Sequence, residues 1–98
     1  MQYIKVSGPG ERDEDWGNCE WLMELDDKRW VVRQPEIHEN GNVLAYDESH
    51  TGDDYGRLAH EQQKWLLNPE DLGPDYTYQD IMKDDFEREW ACRKPMNR

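Results

Sequence analysis

The chain is short of basic residues. It has 12 Lys and Arg against 23 Asp and Glu in 98 residues, a formal charge of −11 at pH 7. Nucleic-acid backbones are held by clustered Lys and Arg, so a chain of this charge is repelled by DNA and RNA at low salt. Direct nucleic-acid binding is thereby excluded from the leading functions. Long apolar runs are also missing: stretches such as Trp21-Leu22-Met23 and Trp65-Leu66-Leu67 stop at three residues. A membrane span needs about 20, so no membrane partner is expected. The opening Met1-Gln2-Tyr3-Ile4-Lys5-Val6 has no basic segment followed by a long apolar one. No signal peptide is expected, and the cytoplasm is the expected location.

Cysteine is scarce. Cys19 and Cys92 are the only two, too few for a disulfide scaffold. With no Cys-x-x-Cys, a structural zinc site is not expected. Both thiols read as reduced and buried.

Catalytic signatures are missing as well. There is no Gly-x-Ser-x-Gly elbow. Gly8-Pro9-Gly10 runs into Glu11 with no Lys-Ser/Thr after it, so it does not match a phosphate loop. His38, His50 and His60 fall at strand ends or in loops. Paired carboxylates carry no signal where acids are so abundant. In the run Asp47–Asp54, the calcium-loop order fails at position 12, which is Leu58 instead of a bidentate Glu. No catalytic residue, metal or cofactor is expected, and the chain does not read as an enzyme.

Eleven aromatic residues, five of them Trp, stand against this. Hydrophobic residues make up only 35%, a level that raises the question of disorder. Acidic disordered tails are poor in aromatics, however, and each Trp or Tyr can remove roughly 150–250 Å² from water. The expectation is a single folded domain over 1–98 with a small aromatic core.

Periodicity assigns the elements. Gln2–Val6 reads as a strand and Ser7–Asn18 as a loop. In Cys19–Leu25, residues Cys19, Trp21, Met23 and Leu25 alternate with Glu20, Leu22 and Glu24, a period of two. Arg29–Arg33 reads as a third strand with Trp30 and Val32 on one face and Arg29, Val31 and Arg33 on the other. Pro35 cannot donate to a ladder and marks a bulge or free edge, with the strand resuming at Glu36-Ile37-His38. Asn40-Gly41 predicts a type I′ hairpin turn, followed by a strand over Asn42–Tyr46. Tyr55–His60 is a candidate fifth strand and Glu61–Asn68 a short helix anchored by Trp65. The last helix carries Asp84, Asp85 and Glu87 early and Arg93 and Lys94 late, as its dipole favours, and ends at Pro95. Phe86 and Trp90, with Met82 a turn earlier, mark its apolar face. The fold class is α+β: an antiparallel meander of four to five strands packed against a C-terminal helix, with one short additional helix.

The charge is unevenly spread. Residues 1–46 carry ten acids and five bases, residues 47–87 twelve acids and three bases, and residues 88–98 one acid and four bases. A concentrated negative field speeds capture of a basic protein and selects against other partners. Trp21, Trp30 and Trp90 fall on core faces. Trp16, Tyr55, Tyr76 and Tyr78 lie in acidic loops, where aromatics either anchor a partner or fold back over the core.

The opening Met1–Val6, the segments Trp30–Arg33 and Ile37–Gly41, the strand Leu44-Ala45-Tyr46 and the closing Asp84–Trp90 resemble a family of small acidic bacterial domains of unknown function. These are similar to immunity proteins of polymorphic and contact-dependent toxin systems. The resemblance implies a non-catalytic inhibitor of a basic toxin domain, of which a nuclease fits the charge best; a monomer or a 1:1 complex is expected. The expected partner-binding residues are Asp47, Glu48, Asp53, Asp54 and Tyr55, with Glu70 and Asp71 as a second patch. The alternative is a phage- or plasmid-encoded DNA mimic that disables a defence nuclease, which requires carboxylates spaced like phosphates along one face.

Overall fold

The computed structural model describes residues 1–10, 14–59, 73–92 and 94–97. Among these residues, five strands form one antiparallel sheet: β1 (Gln2–Pro9), β2 (Asn18–Leu25), β3 (Val31–His38), β4 (Val43–Asp47) and β5 (Thr77–Asp80). An α-helix, α1 (Lys83–Cys92), follows β5. The strand order is β4-β3-β2-β1-β5, so the meander places β2 at the centre and β5 returns to the far side of β1. The α+β meander with a C-terminal helix is therefore present. No strand forms over the described part of the expected fifth strand, Tyr55–Ala59; His60 lies outside the described residues. The fifth strand lies at Thr77–Asp80, where a single aromatic between polar residues left no alternation to read. The short helix expected at Glu61–Asn68 lies outside the described residues.

Both faces of the sheet are covered. On one face Ile4, Met23, Leu25, Leu44 and Tyr46 pack with Leu58 of the loop after β4. On the other, Tyr3 and Leu22 pack under Phe86 of α1, with Ile37, Ile81 and Trp90 at the margin. The predicted core face of β2 is thus correct, and part of its other face is buried too: Leu22 and Glu24 are 2% and 7% exposed, while Glu20 stays open to solvent. The helix covers only one end of this central strand.

Two three-residue turns set the register. Asp26 N donates to Trp30 O (3.0 Å) and Arg29 N to Asp26 O (2.9 Å). The next hairpin repeats the pattern, with His38 N on Asn42 O and Gly41 N on His38 O, both 2.9 Å. The left-handed position falls on Arg29 (φ 66°) and Gly41 (φ 96°). Asn40 keeps a negative φ, so the turn is not type I′; it has the three-residue form in which only the last residue needs positive φ. The consequence is the pairing Ile37↔Val43 and Glu36↔Leu44, one position away from what a two-residue loop would impose.

A register shift opposite Glu24 and Leu25 corrects the reading of β3. Glu24 pairs with Arg33 while Leu25 pairs with Val31, leaving Val32 as the extra residue. The bulge turns Val31 into the main core and Arg33 toward α1. Trp30, expected on a core face, is 43% exposed because it belongs to the turn. Pro35 is neither at that bulge nor on a free edge. It is fully buried in a continuous β3 and pairs with Ala45, while the β2–β3 ladder lapses between Trp21↔Glu36 and Glu24↔Arg33. Met82 is also corrected, being 70% exposed just before α1 begins.

The outer edge of β4 is closed by the C-terminal segment. Asn97 accepts from Ala45 N (2.9 Å) and donates to Ala45 O (3.1 Å), and Met96 N donates to Val43 O (2.8 Å). A side-chain amide here takes the place of a sixth strand, which removes an aggregation-prone edge.

Candidate functional site

The acidic segment after β4 is an internally bonded loop. Asp47 Oδ1 accepts from Ser49 N (2.9 Å), Ser49 Oγ (2.7 Å) and His50 N (2.9 Å). Gly52 and Arg57 form an isolated bridge, and Leu58 N donates to Thr51 O at 2.8 Å. The side chain of Gln34 on β3 steadies the return, accepting from Ala59 N (3.2 Å) and donating to Arg57 O (3.4 Å). Leu58 is buried beneath it and roots the loop in the core.

Asp53 is the hub of this loop. Its carboxylate accepts from Tyr46 Oη (2.9 Å), Asn97 Nδ2 (2.8 Å), Tyr55 N (2.9 Å) and Gly56 N (3.2 Å), and lies 2.8 Å from His50 Nε2. Burial alone would raise its pKa. The hydrogen bonds from His50, Asn97, the Tyr55 amide and Tyr46 outweigh burial and hold it well below the usual carboxylate range. Such a lowered group stabilises the fold fully above its unfolded pKa of about 3.9, and that contribution is lost as pH falls through the folded value. Asp53→Asn should therefore cost about 1–3 kcal/mol at pH 7 by leaving donors unmatched. Urea unfolding should show the deficit narrowing below about pH 4; a deficit that grows on acidification would contradict this role.

The expected partner-binding residues separate accordingly. Glu48, Asp54 and Tyr55 are exposed, Tyr55 to 40%. Asp47 is half-buried and serves the turn; Asp53 is exposed as a residue, but its side chain is only 19% exposed and serves the framework. Glu70 and Asp71 lie outside the described residues. Of the four loop aromatics, Tyr55 is the most open at 40% exposure, with its ring tilted against Trp16 at 6.2 Å between centroids. Trp16 sits edge-on to His38 (4.8 Å between centroids) and packs on the main core. Tyr78 is on β5 against the same core. The Tyr76 ring lies over Gly8, where a Cβ would come within 2.3 Å of it. Cys19 is buried as expected, whereas Cys92 is exposed.

Two groupings were missed by sequence reasoning. One joins sheet to helix: Arg33 Nε and Nη2 donate to Glu24 Oε1 (2.7 Å) and Oε2 (2.8 Å), and the same guanidinium pairs with Glu87 of α1. Tyr3 Oη donates to Glu24 at 2.8 Å. Arg33 also lies 4.9 Å from the Phe86 ring centroid and 5.3 Å from that of Trp90. The second grouping is Cys19, Glu36 and His38, brought together on the face away from α1. The turn at Asp26–Trp30 alone would set Cys19 opposite Ile37; the extra residue Val32 moves the pairing to His38, so the meeting had no local signal.

No family model, curated protein or solved structure matches this chain.

Proposed function

We propose that this protein is a cytoplasmic, non-catalytic inhibitor that binds a basic toxin domain, a nuclease by the logic of charge, and covers its active site. The observation that carries the reading is the loop 47–58. Its framework consumes Asp53 internally and holds Glu48, Asp54 and Tyr55 outward. A pre-ordered loop loses little conformational entropy on binding. Carboxylates around an exposed tyrosine supply steering and an anchor for a surface that otherwise binds phosphates.

Because Asp53 is structural, the test uses Glu48 and Asp54. The chain would be used to capture its partner from the source cell, and the captured protein identified and assayed for nuclease activity. Glu48→Lys with Asp54→Lys should reduce the association rate roughly tenfold or more at low ionic strength. The salt dependence should flatten while the unfolding midpoint stays near that of the parent. An unchanged association rate at low salt would overturn this placement, and a captured protein of acidic character would overturn the reading.

A further inference from the structure

Sequence spacing gives no metal-binding motif, but the sheet register assembles three dissimilar donors. Cys19 and His38 are direct partners across β2 and β3. Glu36 is two residues before His38, which puts it on the same face. Cys19 Sγ lies 3.8 Å from His38 Nε2, and Glu36 Oε2 lies 3.5 Å from the same nitrogen. One donor atom from each residue falls within 4.8 Å of the other two. Cys19, Glu36 and His38 are 1%, 5% and 3% exposed.

We propose that Cys19, Glu36 and His38 bind one zinc ion, with the fourth position of the tetrahedron left to water. Zinc bonds of ordinary length to sulfur, nitrogen and oxygen imply donor–donor separations of roughly 3.3–3.6 Å. The observed 3.8 and 3.5 Å to His38 Nε2 are near these values, and the sulfur and carboxylate, within 4.8 Å of each other, would be drawn in by the ion. The charges balance: Zn²⁺ with a Cys19 thiolate, a Glu36 carboxylate and a neutral His38 sums to zero, and the thiol proton goes to solvent on binding. A neutral cluster is the form that burial tolerates best.

The alternative chemistry for these residue types, a nucleophile–base–acid relay, does not fit. In a relay the nucleophile and the orienting carboxylate address opposite nitrogens of the imidazole. Here the sulfur and the carboxylate both address Nε2. The cluster is also roofed. Trp16 covers His38 edge-on, and Gly10 lies over the cluster, where a Cβ would be in ordinary contact at 3.7 Å with Cys19 Cβ and His38 Nδ1. An ion held here would tie β2 to β3 beneath Gly10 and Trp16, with a buried water as its fourth ligand.

The test uses the whole chain, stripped with chelator, kept reduced and titrated with Co²⁺. One equivalent should bind, with a near-ultraviolet thiolate-to-cobalt band and the strong visible bands of four-coordinate cobalt, all displaced by Zn²⁺. Cys19→Ser should abolish the thiolate band and Cys92→Ser should leave it intact. Glu36→Gln should weaken cobalt binding by roughly 100-fold or more, since even groups behind the ligands change affinity by about 10–100-fold. Folded parent protein that binds no cobalt overturns the proposal. So does cobalt bound without a thiolate band, as surface carboxylates would give, or a band lost with Cys92. If Cys19→Ser fails to fold, the parent spectrum and the Cys92→Ser control still decide.

Discussion

Replacing Phe86 by alanine should cost about 3–5 kcal/mol, the range for emptying an aromatic site in a core. Phe86 is the single buried residue of α1 and is 0% exposed. Its ring lies 5.3 Å from that of Tyr3 and 6.2 Å from that of Trp90. Leu22 completes the cluster. Without Phe86, the helix has only half-buried contacts and the ion pair through Glu87 to hold it. Domains of this size are stable by about 5–15 kcal/mol in total, so the loss is a large share. Urea unfolding followed by far-ultraviolet circular dichroism would measure it. A change below about 1 kcal/mol would mean that α1 does not depend on this anchor.

The second large effect should come from Arg33→Met. Removing one partner of a buried ion pair strands the other, at a cost of about 3–5 kcal/mol. Arg33 is 23% exposed along its side chain and Glu24 9%, so the lower end of that range applies here. The hydrogen bonds from Arg33 are the main reason that the Glu24 pKa is lowered, ahead of the opposing effect of burial. Glu24 therefore stabilises the fold above its unfolded pKa of about 4.3, and the contribution disappears as pH falls through the lower folded value. The gap between parent and variant should be widest near neutral pH and should narrow in acid. Adding Glu24→Gln to Arg33→Met should recover part of the loss, because the stranded charge is gone. A gap that is constant from pH 7 to pH 3 would assign the whole effect to lost stacking on Phe86 and Trp90.

The elements with strong local patterns were legible in the sequence. The alternation in Cys19–Leu25 is set by side-chain chemistry, and the structure keeps Met23 and Leu25 in the main core. The helix over Lys83–Cys92 follows from its acids at the start and from Phe86 and Trp90 one turn apart. Turn positions were legible and turn types were not. Asn40-Gly41 is compatible with two loop lengths, and the core selects the one that seats Leu44 and Tyr46 beside Met23 and Leu25. The bulge at Val32 was hidden for a related reason. A strand's period of two assumes continuous pairing, and nothing local tells Val31 and Arg33 that they serve opposite faces.

The candidate site divides in the same way. Composition located the acidic segment 47–54 but could not separate acids by task, since Asp53 and Asp54 are chemically equivalent until Tyr46, His50 and Asn97 converge on one of them. Asn97 is 44 residues from Asp53, a contact that only chain closure produces.

By itself, the sequence determined the sign and concentration of the charge, the aromatic character of the core and the positions of the turns. Each of these is a property of residues or of near neighbours along the chain. The tertiary structure alone decided the strand order, the fifth strand at Thr77–Asp80, the Arg33 pairs and the meeting of Cys19 with Glu36 and His38. Those depend on register, and register is selected by which pairing buries the most apolar surface while matching every buried charge. That balance is struck across the whole sheet at once, between residues that the sequence holds far apart.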